Sequence, residues 1–203
     1  SFQNIIFFIV PITITYLFLS HPIIDVILRR GDFDVHSLKI TSSVLFYYSF
    51  GLFFFCGIKL LVNTFYALKD TATPAKVTLA SLIINIILSA ALMYPLKIGG
   101  VALGSSLAAI FNFFLLYRLL LKKIGHVAWQ DTRLQFLKVL LLSLTAAVSA
   151  RFLWDFLVYD KYIKAFITAV LSSGIFIIGG YALGLKQVQY LKQFIFARKQ
   201  LKP

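Results

Sequence analysis

The chain has 203 residues, 60% of them hydrophobic and 13% charged, with a mean hydropathy of +0.89 and a net charge of +13. Water-soluble domains carry about 45–50% apolar and about 25% charged residues, which excludes an ordinary soluble fold. Lys and Arg fall in short clusters between long apolar runs rather than along a polar surface, which argues against nucleic acid as a partner and for membrane spans joined by basic loops.

Six stretches reach the length of about 20 apolar residues that crosses a bilayer. They are 4–28, interrupted by Pro11 and Pro22, then 41–68, 75–94, 100–121, 134–157 and 163–185. Barrel strands alternate and are half as long, so the fold class is all-α integral membrane. Pro11 is expected to kink the first span. After the second, Thr73 reads as a helix N-cap with Pro74 at the first helical position, and 94–100 reads as a tight turn. The basic residues divide unequally between the two faces. Arg29, Arg30, Lys39, Lys97, Arg151, Lys161 and Lys164 make seven on one side, against twelve on the other, which places both ends of this chain in the cytoplasm. From Lys186 onward apolar and basic residues alternate, as in a surface-lying amphipathic helix or a solvated tail. No signal-peptide pattern opens the chain; with Ser1 first and Met93 its single methionine, it is expected to be the later part of a longer protein.

Enzyme signatures are missing. His21, His36 and His126 have no partner four residues away for zinc, Gly99 to Ser106 lacks a P-loop lysine, and Cys56 stands alone. No catalytic residue and no cofactor is therefore expected, and the polar groups within the spans carry the information. Lys59 lies within the second span, with Asn63 one turn later on the same face. A cation at the bilayer centre costs about 2.5–3.5 kcal/mol, so Lys59 either lines a cavity for an anionic substrate or is a snorkelling or paired structural lysine. Thr78, Ser81, Asn85 and Ser89 form a polar stripe on the third span. Gly100, Gly104, Ala108 and Asn112 form a small-residue stripe on the fourth that lets helices approach closely. In the last span, Ser172, Ser173, Gly174, Gly179 and Gly180 thin one face of an otherwise apolar helix. They serve either helix packing or a groove for a long lipid chain, with Lys186 and Lys192 near the headgroups.

The segment Phe65-Tyr66-Ala67-Leu68-Lys69-Asp70-Thr71-Ala72-Thr73-Pro74 resembles the Phe-Tyr-Ala-x-x-Asp-Thr-x-Thr-Pro signature of the MurJ (MviN) family of lipid II flippases. Lys59 falls where that family commonly carries Lys or Arg. The run from Pro95 through Gly104 and Ser105 to Ala109, and Pro22-Ile23-Ile24 followed by Arg30-Gly31-Asp32-Phe33, are similar to further family patterns. The resemblance implies six of the helices of a fourteen-helix, two-lobed fold of the multidrug/oligosaccharidyl-lipid/polysaccharide exporter superfamily. Residues 1–123 would be the last four helices of the second lobe, 124–187 two additional helices, and 188–203 a basic cytoplasmic tail. The activity implied is flipping of lipid II, or a similar polyprenyl-diphosphate saccharide, across the bacterial inner membrane for cell-wall synthesis. The N-terminal part of the same protein and membrane lipids would be its partners. Another exporter of the superfamily is the near alternative, and a membrane-embedded glycosyl transferase or polymerase a distant one. Some relatives also resemble cation-coupled carriers, which implies a monovalent cation as the one candidate cofactor: Asn85, Ser89, Val101 and Ser105 fall at that site's ligands, but Ser89 stands where the site has an Asp, and a hydroxyl supplies no charge for a hard cation.

Overall fold

The computed structural model describes residues 2–125 and 130–185. His126, Trp129 and the basic tail from Lys186 lie outside the described residues. Among the described residues there are six helices, each long and apolar enough to cross a membrane: α1 (Phe2–Leu28), α2 (Val35–Ala67), α3 (Ala72–Leu96), α4 (Ile98–Ile124), α5 (Gln130–Phe156) and α6 (Lys161–Ala182). Helices are the form this sequence must take in hydrocarbon, because they satisfy every backbone N–H and C=O within the segment. At 33 residues, α2 is about 50 Å long and overruns the roughly 30 Å core. Its first turns therefore project beyond the apolar run, capped by the Asp34 carboxylate, which accepts from Ser37 N–H at 2.8 Å.

Two clusters hold the bundle. One joins Ile6, Phe7 and Val10 of α1 to Val139 and Leu142 of α5; the other joins Leu61 and Phe65 of α2 to Val77 of α3 and to Phe113, Leu116 and Leu120 of α4. Phe53 bridges them, 6.4 Å between ring centroids from Phe113 and 5.9 Å from Phe136. Because lipid tails are as apolar as these side chains, close packing rather than expulsion from water holds such helices together. The α4 helix is the most buried because small residues cover two of its faces. Ser106 donates to the Tyr47 carbonyl of α2 at 2.8 Å, while a Cβ on Gly104 would lie 2.8 Å from the Ser89 nitrogen of α3. The 100–104–108–112 stripe thus seats α3 against α4.

Three local expectations are corrected. The non-helical residue inside α1 is Leu19, not the turn around Pro11. Leu19 lies three residues before Pro22, whose ring crowds the preceding turn and whose missing N–H removes the regular helical bond to the Phe18 carbonyl. Thr73 is not the cap of α3. That position belongs to Thr71, Pro74 sits at the third helical position, and the capping oxygen comes from Asp70, which accepts from Thr73 N–H at 3.0 Å. The turn expected at 94–100 is a single residue, Lys97, since α3 runs through Pro95 to Leu96 and α4 begins at Ile98.

Candidate functional site

On α2, residues 58, 61, 62 and 65 turn toward α4, so helical geometry sends Lys59, Asn63 and Tyr66 to the opposite side, where all three are exposed. None of the ion pairs among the described residues involves Lys59. It stands eight residues before the end of α2 at Ala67, about 12 Å along the axis. That is deeper than a lysine side chain reaches, and halfway between this end and the helix midpoint at Gly51. The unpaired cation and its amide neighbour therefore face away from the other described helices.

The signature segment builds a joint rather than a binding surface. Phe65 is 1% exposed and anchors α2 in the second cluster. The helix then ends in a Schellman motif: Asp70 N–H donates to the Phe65 carbonyl at 3.0 Å and Lys69 N–H to the Tyr66 carbonyl at 2.9 Å, with Lys69 left-handed at φ 58°. The Asp70 carboxylate also receives the Thr73 hydroxyl at 2.8 Å and the Lys123 ammonium, at the end of α4, at 2.7 Å. The Lys123 hydrogen bond, reinforced by Thr73, holds the Asp70 carboxyl down at about 2 from its ordinary 3.8. Lys123 is the residue that sequence reasoning missed, since it read only as loop charge.

Asn85, Ser89, Val101 and Ser105 come together between α3 and α4. The Ser89 and Ser105 hydroxyls donate to Asn85 Oδ1 at 2.9 and 3.3 Å, and Ser105 also donates to the Val101 carbonyl at 3.1 Å. Four neutral oxygens converge here without a carboxylate. The set suits a weakly held monovalent ion and lacks the charge that a divalent ion needs.

The residues proposed for a tail groove separate. Ser172 and Ser173 line two adjoining apolar grooves between α1, α5 and α6, of about 350 and 370 Å³, which also share Thr15 and Leu19. Gly174, Gly179 and Gly180 do not line them. A Cβ on Gly174 would meet nothing within 4 Å, Gly179 packs against Leu142, and the Gly180 carbonyl accepts from Leu185 N–H in the terminal turn of α6. Gly174 lies about 100–200° around the helix from the serines, whereas Gly179 and Gly180 share their side of the helix but sit about two turns further along, beyond the grooves.

Contacts between loops sort the chain ends into two faces. Asp70 meets Lys123 on one, and Lys161 Nζ donates to the Arg29 carbonyl at 3.0 Å on the other. Alternate crossings require this grouping.

Six helices long and apolar enough to cross a membrane, with a cation on an open face of one and a polar cluster between two others, define a multi-pass membrane protein. Residues 1–172 match the family described as "Lipid II flippase MurJ", and the chain belongs to that family. It is a multi-pass inner-membrane protein. It is 34% identical over 187 residues to the probable lipid II flippase MurJ of Rickettsia prowazekii, covering 89% of this chain and 37% of that protein. A second relative, from Buchnera aphidicola subsp. Schizaphis graminum, is 27% identical over 191 residues, covering 89% and 36%. A solved structure of "Lipid II flippase MurJ, inward closed conformation" superposes with a TM-score of 0.78 at 24% identity, over 92% of this chain and 38% of that one, which confirms the helical fold. The chain thus spans a little over a third of the length of each of these relatives.

Proposed function

We propose that this chain is the second-lobe portion of a flippase that carries lipid II across the inner membrane by alternating access, with no chemistry on the substrate. The observation that carries the reading is Lys59. An unpaired cation about 12 Å inside a span of a MurJ-family chain is tolerated only if it faces water or an anion, and a diphosphate supplies the anion. Residues 1–123 would be the last four helices of the second lobe, 124–187 two additional helices, and 188–203 a cytoplasmic tail, with the N-terminal part of the same protein closing a fourteen-helix, two-lobed cavity around Lys59 and Asn63. The groove at Ser172 and Ser173 would take the polyprenyl tail. Asn85, Ser89, Val101 and Ser105 would hold a monovalent cation if one is bound. The face carrying Lys69 and Lys123, with its twelve basic residues, would be cytoplasmic.

The test is rescue of cells depleted of their own lipid II flippase by the full-length protein. Translocation is read as lipid II made accessible to a hydrolase added outside the cell. Rescue with restored accessibility supports the reading; growth without restored accessibility, or accumulation of a different lipid-linked saccharide on depletion, assigns the chain to another exporter activity.

A further inference from the structure

The second of the two grooves ends against charge. Its walls include Ile23 and Val26 of α1 and Ala165 and Ala169 of α6, and Trp154 of α5 stands at its end. Beside Trp154, Lys164 Nζ lies 5.9 Å from the ring centroid, and Lys161 Nζ is held at 3.0 Å by the Arg29 carbonyl. Positions 161, 165, 168 and 172 fall on one helical stripe, so the lysine end of α6 continues the groove wall. Four of the five acids of this face are engaged by other groups. Asp25 pairs with Arg29 and Asp155 with Arg151, Asp34 and Asp160 accept backbone N–H groups at the starts of α2 and α6, and Asp32 lies exposed in the connection before α2. Among the described ion pairs neither lysine takes part; the Lys161 ammonium is held by a carbonyl and the Lys164 ammonium lies over an indole.

A groove of about 370 Å³ walled by small and aliphatic side chains accepts a hydrocarbon chain. Two lysines and an indole at headgroup depth accept a phosphate. We propose that this end of α6 is a binding site for an anionic phospholipid, one acyl chain in the groove and the phosphate between Lys161 and Lys164. The site rests on the groove and its charge alone, and requires neither the orientation of the chain nor the tail assignment made above. It makes a membrane phospholipid the competitor that any longer lipid chain must displace.

The experiment uses the full-length protein in phosphatidylcholine vesicles containing either brominated phosphatidylglycerol or brominated phosphatidylcholine. Quenching of Trp154 is taken as the difference from the Trp154→Phe variant. Each lysine is expected to favour the anionic lipid about fivefold, so with both lysines present phosphatidylglycerol should quench at concentrations about 25-fold lower than phosphatidylcholine. The Lys161→Gln/Lys164→Gln double variant should quench equally with both, and Lys161→Arg/Lys164→Arg should restore the preference. Equal quenching by the two lipids in the unmodified protein, or a preference undiminished in the Gln variant, would overturn the site. The probe lipids carry no prenyl chain, so failure here is separable from failure of the flippase reading.

Discussion

Asp70 and Lys123 are 53 positions apart and meet at 2.7 Å, tying the α2–α3 connection to the last turn of α4. The carboxylate accepts at the same time from the Thr73 N–H and hydroxyl, so one residue closes α2 with its backbone N–H while its side chain starts α3 and pins α4. The specificity of the signature around Asp70 is thus a matter of joining helices.

The joint has a pH signature. The Asp70 carboxyl is held at about 2, below its ordinary 3.8, so the folded state binds its proton less tightly than the unfolded chain does. Its contribution is fully present above about pH 4 and is lost as pH falls toward 2. The melting temperature of Asp70→Asn in detergent should be lower than that of the unmodified protein at pH 7, and the two should converge between about pH 4 and 2. A constant gap across that range would dissociate the joint from Asp70 ionisation.

Lys69 occupies the left-handed position of the Schellman motif, φ 58°, where glycine is unstrained. Lys69→Gly should stabilise the protein by up to about 1 kcal/mol, since the left-handed backbone costs a side-chain-bearing residue about 1–2 kcal/mol and glycine gives part of that back in unfolded-state entropy. Thermal unfolding monitored by circular dichroism checks it; a lowered midpoint would mean the Lys69 side chain makes a contact worth more than the strain.

Topology follows from the two faces. In a Cys56→Ala background, Thr71→Cys and Gly125→Cys should resist a membrane-impermeant maleimide applied to intact cells, while Asp32→Cys and Tyr159→Cys should react. The reverse labelling pattern would invert the chain in the membrane.

How far the sequence speaks depends on the range of the interaction. The six spans and the Thr78–Ser81–Asn85–Ser89 stripe were legible because hydropathy and the three-to-four-residue spacing are local properties; that Ser105 joins Asn85 and Ser89 came only from the family resemblance. The partner of Asp70 was not, because a contact across 53 residues leaves no spacing to read. The bend in α1 went to Leu19 rather than to Pro11, because a proline disturbs the turn before it only as far as its neighbours yield. Gly180 looked like a groove residue by composition, yet its carbonyl is part of the α6 terminus. Ser172 and Ser173 face the groove, and only the packing of α6 against α1 distinguishes them from the adjacent Gly174.

That distinction is testable with one pair of variants. Ser173→Trp should fill the groove and reduce photocrosslinking to a polyprenyl-tail probe several-fold. Gly174→Trp, with open space around its Cβ, should leave crosslinking unchanged. Equal loss in both variants, or in neither, would remove the tail from this groove.

The central claim is tested most directly at Lys59. In cells depleted of their own flippase and supplied with the full-length protein, Lys59→Ala should leave the protein's membrane level unchanged while reducing outward exposure of lipid II about tenfold or more, as expected when a cation that meets a phosphate away from water is removed. Lys59→Arg should retain most of the exposure. Full translocation by Lys59→Ala at an unchanged membrane level would contradict the account.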